Sequence, residues 1–409
     1  MGTEDLTAPL FEDGFLADDP HPHLARLRAS APVAYDEERG VWVLSRHAEV
    51  SLAARDPATF CSRRGILLSE IGVEYETPPT MMHTDPPEHS RYRKLVQPAF
   101  SASAMRAWEP AIRARASAGV ASLLAAVDAA GGGPVDVVAE LSVPFPLQVI
   151  ADLLGIPDDD WPRFYEWSEA AIPGATDWPE EKVLELMGEM VTYLLAVAAD
   201  RRAAPRDDVV SRLATASPDG DGDVLDDAEL AMFLVQLLVA GNETTRNALS
   251  GALVALADNP SQWDALRSAV AAGDQAFLAT AVEEVLRWTS PVAYFLRTTT
   301  RPVELAGVTL PEGAPCMLLY LSANRCEQEF GPTADRFDLA RTPNHHLAFG
   351  SGPHFCLGAA LARIELRIML GTLAPRIATL TSAGPPTRSM SLVIAGLRHA
   401  PLALTPKTA

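Results

Sequence analysis

Apolar side chains recur at helical spacing over most of the chain. In segments 104–130 and 180–202 they return every three or four positions, which predicts amphipathic helices. Strand-like alternation is shorter. It forms a hairpin pattern in 32–46, recurs in 298–325 and ends in a second hairpin pattern in 391–404. The pattern therefore predicts a mainly α-helical protein with minor β-structure.

The longest helical pattern extends from about Asp227 to Asp258. Asp226 and Glu229 have capping-box spacing at its start, and Asn259 followed by Pro260 ends it. At about 1.5 Å per residue, a helix of this length would cross the whole molecule. We therefore expect it to be a central helix.

No internal repeat and no linker divides the sequence. We expect a single domain over residues 1–409, β-rich to about residue 80 and helical over 81–290. The part from 291 to 409 is mixed and carries a glycine-rich segment with one cysteine.

Composition and charge narrow the classes of partner. The chain has 409 residues, 48% of them hydrophobic and 21% charged, and a net charge of -20. A strongly acidic surface repels nucleic-acid phosphates and anionic lipid, so we expect neither as a partner. The first residues lack a signal-peptide pattern, and no apolar run is long enough to span a bilayer, so we expect a cytoplasmic protein.

The four cysteines are scattered and contain no CxxC pair, which argues against a zinc site or a disulfide framework. Cys356 differs from the others because Gly350, Gly352 and Gly358 surround it and a helical pattern begins near Leu357. The positive end of that helix would lower the thiol pKa.

A thiolate in this position is either a nucleophile or a metal ligand. His354, two residues before Cys356, could serve as its general base, so a cysteine hydrolase is one interpretation.

Polar residues interrupt the middle of the long helix. Gly241 lowers helix propensity and could let a flat ligand approach the backbone, and Glu243 and Thr244 follow it. An acid followed by an alcohol can deliver protons to a ligand, with Glu243 alternating between solvent and interior. The alternative is a polar helix end exposed to solvent.

Four cationic or imidazole donors form a third candidate group. His89 and Arg93 share a helix face, Arg297 lies on a strand-like piece, and His354 precedes the cysteine. Each could be an ordinary surface residue, but together they would suit two carboxylates on one ligand.

Glu284 and Arg287 also share a helix face, which is common for exposed ion pairs. Arg336 could complete a structural lock made of one carboxylate and two guanidinium groups.

The segment around the cysteine fits the pattern Phe-x-x-Gly-x-x-x-Cys-x-Gly through Phe349, Gly352, Cys356 and Gly358. With the other motifs in matching order, the sequence resembles the cytochrome P-450 haem-thiolate monooxygenases, specifically the soluble bacterial members. The resemblance implies a triangular helical prism with small antiparallel sheets enclosing haem b (iron protoporphyrin IX).

The resemblance also implies roles for individual residues. Cys356 would be the iron ligand, and Glu243 and Thr244 would deliver protons to dioxygen. Glu284, Arg287 and Arg336 would form the structural lock. The haem contacts would come from His89, Arg93, Ala240, Gly241, Arg297, Phe349, Gly350, His354, Cys356 and Gly358.

The candidate substrate pocket implied by the resemblance is apolar, which predicts a hydrophobic small-molecule substrate. Its residues would be Ile66, Leu67, Gln236, Val239, Ala240, Ala293, Tyr294, Phe295, Val393 and Ile394. The segment 240–247 resembles members that oxidise sterols and branched lipids, by hydroxylation or oxidative dealkylation. Arg63 and Arg64 keep open a second possibility, an aromatic carboxylic acid.

Two electrons would come from NAD(P)H through a ferredoxin reductase and a ferredoxin, because no flavin domain fits within the chain. Arg91, Lys94 and Arg363 are candidate docking residues, and we expect a monomer. A peroxide-driven peroxygenase and a non-catalytic haem-binding protein remain alternatives.

Overall fold

The computed structural model describes residues 6–12, 14–74, 80–157, 160–171, 176, 178–217 and 224–407. Helices account for most of these residues, as the apolar spacing predicts. They are α1 (His21–Ser30), α2 (His47–Arg55), α3 (Glu88–Val96), α4 (Ala102–Arg106), α5 (Glu109–Ala129), α6 (Pro144–Leu154), α7 (Trp161–Ala170), α8 (Glu180–Ala203), α9 (Val209–Ala214), α10 (Asp227–Asp258), α11 (Pro260–Ala271), α12 (Gln275–Thr289), α13 (Tyr320–Ala323), α14 (Glu327–Phe330) and α15 (Ala359–Leu373).

The strands are short and lie mainly near the two ends of the chain. They are β1 (Val33–Asp36), β2 (Val41–Leu44), β3 (Phe60–Cys61), β4 (Val135–Asp136), β5 (Tyr294–Thr299), β6 (Val303–Leu305), β7 (Val308–Leu310), β8 (Pro315–Leu319), β9 (Ile377–Ser382), β10 (Thr387–Arg388), β11 (Leu397–His399) and β12 (Pro401–Pro406). The prediction of a mainly helical fold with small sheets is confirmed.

The largest described sheet joins the N-terminal part of the chain to its C-terminal third. Its strand order is β1-β2-β8-β5-β3. The β2 and β8 strands are parallel, and every other neighbouring pair in this sheet is antiparallel. The predicted hairpin in 32–46 is present as β1 and β2, and Gly40 takes a φ of 66° in its turn. This sheet places Arg297, on β5, near His354 in the loop that contains Cys356.

The predicted hairpin in 391–404 is wrong in its pairing. β11 pairs with β10, whereas β12 pairs with β9 and β4. Residues 389–396 therefore form the tip of a β10–β11 hairpin. Val292 forms an isolated bridge with Ile394 in that tip, which attaches the tip to the chain just before β5.

The long helix α10 has the predicted bounds. Asp226 accepts a hydrogen bond from the Glu229 backbone N–H at 2.8 Å, and the Glu229 carboxylate accepts one from the Asp226 N–H at 2.9 Å. α10 packs against α6, α8, α12 and α15, and many of its apolar side chains, including Leu234 and Leu249, are fully buried. It is the central helix that its length predicts.

The structural lock has a different third member from the predicted one. Glu284 and Arg287 are both fully buried and form two hydrogen bonds, at 2.7 and 2.8 Å. Arg341, not Arg336, completes the lock, because its Nε donates to Glu284 Oε2 at 3.1 Å.

The Arg336 side chain is exposed, and only its backbone carbonyl takes part, by accepting hydrogen bonds from Arg287 and Arg341. The lock therefore joins α12 to a turn of the chain near residue 336 through both side chains and carbonyl oxygens.

Among the residues that the structure describes, no helix has the length and apolarity needed to cross a bilayer.

Candidate active site

The loop before α15 is shaped by close contacts that only glycine permits. Gly352 has a φ of 72°, and a Cβ there would lie 2.8 Å from the Arg55 Cα at the end of α2. Gly350 also has a positive φ, of 67°. The Cys356 N–H donates to the Phe349 carbonyl at 2.9 Å, which closes the loop. Cys356 is exposed at the wall of a pocket of about 520 Å³.

The Cys356 thiol does not have the lowered pKa that the sequence predicts. Desolvation by the surrounding protein raises its pKa, and the opposing effects of the Gly358 N–H, Arg93 and Arg363 are smaller. α15 begins at Ala359, two residues later than expected, so the positive end of the helix is further from the sulfur. A thiol of this kind becomes a stable thiolate when a metal ion binds it.

His354 is unsuited to be the general base of a hydrolase. Its Nε2 is hydrogen-bonded to Ser62 Oγ at 3.1 Å, and its ring packs on His89 with centroids 4.1 Å apart. Burial and then the charge of Arg297 lower the pKa of His354 to about 2. His354 therefore cannot serve as the base for Cys356, and the hydrolase interpretation, which depended on it, is rejected.

The four predicted donors lie close together. His89 and Arg93 are on α3, Arg297 is on β5, and His354 is in the loop that contains Cys356. Burial and then Arg93 lower the pKa of His89, burial lowers the pKa of Arg93, and Arg93 and Arg297 also act on His354. The His89 Nε2 is buried without a hydrogen-bond partner. Within the described ranges, none of the four forms an ion pair with a carboxylate, although Asp85, bound to Arg63, lies nearby. Such a cluster fits an anionic ligand.

The middle of α10 presents an open surface in an otherwise largely buried helix. Ala240 is exposed, and Thr244, one turn later, is half-buried with its hydroxyl donating to the Ala240 carbonyl at 2.7 Å. Gly241 does not belong to this surface. A Cβ at Gly241 would lie 3.0 Å from Ile150 Cδ1, so glycine is needed there for packing against α6 rather than for a ligand.

Glu243 is a buried carboxyl with one satisfied and one unsatisfied oxygen. Its Oε1 accepts hydrogen bonds from Arg246 Nη2 and Asn247 Nδ2, both at 2.8 Å, while Oε2 has no partner. Burial raises the pKa of Glu243, which the Arg246 charge only partly offsets. The side chain is 3% exposed, so the alternative of a solvent-exposed helix end is rejected.

The candidate pocket segments meet through backbone hydrogen bonds. The Leu296 N–H donates to the Ile66 carbonyl at 2.7 Å, and the Ala293 N–H donates to the Val393 carbonyl at 2.8 Å. Ile394 packs against Val239 of α10. The hairpin tip, the start of β5, the loop near residue 66 and α10 are therefore neighbours.

Individual pocket candidates differ in how they are packed. Ala293 and Tyr294 belong to an apolar cluster with N-terminal residues, and the Tyr294 hydroxyl accepts a hydrogen bond from the Leu68 N–H at 3.4 Å. Phe295 packs edge-on against Tyr320. Leu67, Gln236 and Val393 are half-buried, and Gln236 Oε1 is buried without a partner.

Of the two arginines that would select a carboxylate substrate, Arg63 has a carboxylate partner and Arg64 lies beside Gly313. Arg63 Nη1 donates to Asp85 at 2.9 Å. The Arg64 guanidinium points toward Gly313, where a Cβ would lie 3.6 Å from Nη1. Neither belongs to the apolar clusters that contain the pocket candidates.

Three side chains take part in these buried contacts without having been predicted from the sequence: Glu169, Arg246 and Arg341. Arg246 follows Glu243 by three residues, so helical spacing contained a signal for their contact. Glu169 lies 77 residues earlier than Arg246, and nothing in the local pattern pairs the two.

Comparisons with known proteins agree with this geometry. A family model described as cytochrome P450 matches residues 181–376. Cytochrome P450 130 of Mycobacterium tuberculosis is 38% identical over 369 residues, which cover 88% of each protein. The chain belongs to the cytochrome P450 family.

Further similarities extend over most of this P450. The methyl-branched lipid omega-hydroxylase of Mycobacterium tuberculosis is 37% identical over 397 residues, covering 92% of this chain and 89% of that protein. The crystal structure of CYP108D1 from Novosphingobium aromaticivorans has a TM-score of 0.87 at 29% identity and covers 100% of both chains.

Membership makes this chain a cytochrome P450 monooxygenase and implies haem and dioxygen. The residues present fit haem: Cys356 offers a thiol that a metal would ionise, and the guanidinium groups of Arg93 and Arg297, with the neutral imidazoles of His89 and His354 beside them, suit two propionates. No cluster of three or more His, Cys, Asp or Glu side chains suited to a metal ion occurs in the described part of the chain.

Proposed function

We propose that this P450 is a ferredoxin-dependent haem-thiolate enzyme that inserts one oxygen atom of dioxygen into a neutral, hydrophobic small molecule, by hydroxylation or oxidative dealkylation. The observation that carries the proposal is the combination of one exposed thiol, Cys356, with four neighbouring donors that have no carboxylate partner among the described residues. Haem, when bound, supplies the binding and activation of dioxygen.

The protein side chains have separable tasks at this site. Cys356 would hold the iron through its sulfur and donate electron density to it. Arg93 and Arg297 would neutralise the propionate charges. His354 stays uncharged at neutral pH, because its pKa is about 2, and its ring is held by Ser62 Oγ and by packing on His89.

Protons are delivered by Glu243 and Thr244 in this proposal. Glu243 holds a proton at neutral pH more readily than an exposed glutamate, because burial raises its pKa, and Oε2 is the oxygen free to carry it. The Thr244 hydroxyl, already close to the open surface at Ala240, is the group through which the proton leaves α10.

The substrate is proposed to be a methyl-branched or sterol-like lipid. The candidate pocket segments are apolar, and Ile394, Val239 and Val393 pack together there. A relative named as a methyl-branched lipid omega-hydroxylase is 37% identical to this chain over 397 residues, which supports the same class of substrate. An aromatic acid is disfavoured because Arg63 is paired with Asp85 and Arg64 points toward Gly313.

Two electrons are proposed to come from NAD(P)H through a ferredoxin reductase and a ferredoxin that docks over the groove beside Cys356. Arg106, Arg363 and Arg367 line this groove. Arg363 and Arg367 are already paired with Glu283 and Glu109, so Arg106, which is exposed, is the stronger candidate.

Two of the docking residues expected from sequence have other contacts. Arg91 binds Glu229 at the start of α10, and Arg363 binds Glu283 through two hydrogen bonds of 2.7 Å. Lys94 is exposed on α3.

The haem-thiolate assignment is tested by one spectrum. Ferrous protein with carbon monoxide should show the red-shifted Soret band of thiolate ligation, and Cys356→Ala should abolish it. Cys326→Ala, at a buried cysteine outside the groove, is the control and should keep the band. A normal band in Cys356→Ala would refute the ligand assignment.

The substrate class is tested by binding. A panel containing a methyl-branched fatty alcohol, a sterol and an aromatic carboxylic acid should produce the low-to-high-spin shift with one of the first two. Tight binding of the aromatic acid alone, lost in Arg64→Gln, would replace the lipid proposal by the carboxylate alternative.

A further inference from the structure

Polar side chains connect α7 to α10 beside Glu243. Arg246 Nη1 donates to Glu169 Oε1 at 2.5 Å, and Asn242 Nδ2 donates to Ser168 Oγ at 2.9 Å. These four residues are at most 8% exposed. Because buried polar groups are stable only when partnered, the contacts determine how α7 sits on this part of α10.

The Arg246 guanidinium is shared between two carboxyl groups. Its Nη1 binds Glu169, and its Nη2 binds Glu243 Oε1 at 2.8 Å. One buried positive charge compensates one buried carboxylate, and a second negative charge at that distance is unfavourable. Glu243 is the more buried of the two, at 3% against 8% exposed, and its Oε2 has no partner. It is therefore the carboxyl that retains a proton.

Other groups that face Glu243 do not change this charge balance. In the described part of the chain, the charged or titratable groups around Glu243 are Arg246, Glu169 and, further along α7, Tyr165. Burial and then Glu169 raise the pKa of Tyr165, so it stays neutral. Asn247 contributes only a hydrogen bond.

Helical geometry places Glu243 between two faces of α10. Successive residues are rotated by about 100°, so Ala240 and Thr244 lie on one side and Asn242 and Arg246 on another. Glu243 falls between these two faces. It thus stands at the boundary between the open surface of α10 and its contact with α7.

We propose that Glu169 is a positioning residue for proton delivery, which occupies the Arg246 guanidinium and thereby keeps Glu243 in its protonated form. The inference rests on the proposed function and extends it to a residue on another helix. Without the Glu169 charge, Arg246 would be wholly available to Glu243, which would then ionise. The position of α7 would in this way control whether Glu243 holds its proton.

The experiment measures the protonation of Glu243 directly. Infrared difference spectra of the haem-loaded protein are recorded over a pH titration, and the carboxylic C=O band of Glu243 is assigned by its loss in Glu243→Gln. In Glu169→Gln the midpoint of this band should fall by about one pH unit or more, because a like charge has been removed. An unchanged midpoint would overturn the proposal.

Two further variants make the result specific. Glu166→Gln removes a charge from the exposed face of the same helix and should leave the midpoint where it is in the unmodified protein. Glu169→Met, also uncharged and of similar volume, gives the same test if Glu169→Gln does not fold. A shift of equal size in Glu166→Gln would show a general charge effect and would also overturn the proposal.

The infrared readout separates this inference from the proposed function, because it requires no turnover. Product formation with an unmoved midpoint would refute the role of Glu169 and leave the proposed function intact. A shifted midpoint in a protein without the thiolate band would refute the proposed function and support the link between Glu169 and Glu243.

Discussion

At the scale of single residues, the environment decides what the acid and the thiol can do. Cys356 and Glu243 both have raised pKa values, because desolvation by the surrounding protein disfavours their charged forms even though Cys356 lies open to the groove and Glu243 is buried. For the thiol this favours metal ligation over free nucleophilic attack. For the acid it favours storing a proton, since a carboxyl that is neutral near neutral pH can donate.

The Thr244 hydroxyl provides a prediction at this scale. Thr244→Ala removes the alcohol that follows Glu243, so oxygen consumption should continue while product per oxygen consumed falls about tenfold or more. Turnover supported by hydrogen peroxide should survive, because peroxide already carries the two electrons and the protons that dioxygen would need. The measurement is the ratio of product to oxygen consumed.

Thr192→Ala is the matched control, because the Thr192 hydroxyl makes the same bond to a carbonyl one turn earlier, on the exposed part of α8. Full coupling in Thr244→Ala would refute the proton-delivery role.

At the scale of elements, buried charge clusters join helices to segments distant in sequence. The lock of Glu284, Arg287 and Arg341 attaches α12 to the chain near residue 336, just before the cysteine loop. Every one of these three side chains is at least nine-tenths buried. Removing Arg341 breaks a buried ion pair with Glu284 and takes the guanidinium donor away from the carbonyls of Thr333 and Arg336.

Arg341→Gln should therefore destabilise the folded protein strongly, by about 3 to 5 kcal/mol in the free energy of unfolding. Arg336→Gln should change it by less than about 0.5 kcal/mol, because that side chain is exposed and only its carbonyl is used. Urea denaturation of the two haem-loaded variants compares them directly. Equal stability losses would show that Arg336 contributes as its position in the sequence first indicated.

At the scale of the whole molecule, the charge distribution is uneven. The protein carries a net charge of -20, yet four arginines, Arg93, Arg106, Arg363 and Arg367, line the groove beside Cys356. Two of them are neutralised by Glu283 and Glu109. An acidic ferredoxin would be repelled by most of the surface and attracted mainly to this groove.

Arg106→Glu should therefore slow the reduction of the haem by an acidic ferredoxin several-fold at low salt, with a smaller difference at high salt because charge interactions are screened. Stopped-flow reduction measures the rate. Arg212→Glu, a reversal on the exposed part of α9, is the control. Identical reduction rates at low salt for the unmodified protein, Arg106→Glu and Arg212→Glu would exclude this docking site.

The sequence alone was sufficient for features whose cause is local. The capping residues Asp226 and Glu229 set the start of α10, and apolar spacing set its length. The glycines around Cys356 indicated an irregular loop, and Gly350 and Gly352 do take positive φ angles there. Each of these depends on residues within a few positions of one another.

Folding in three dimensions was required wherever the partner lies far along the chain. Arg336 and Arg341 are chemically alike and five residues apart, and only packing shows which of them reaches Glu284. The pKa of Cys356 depends on desolvation by several segments, which outweighs the expected effect of α15. Glu169 and Arg246 meet across 77 residues, because burial energy and charge compensation are summed over spatial neighbours and not over sequence neighbours.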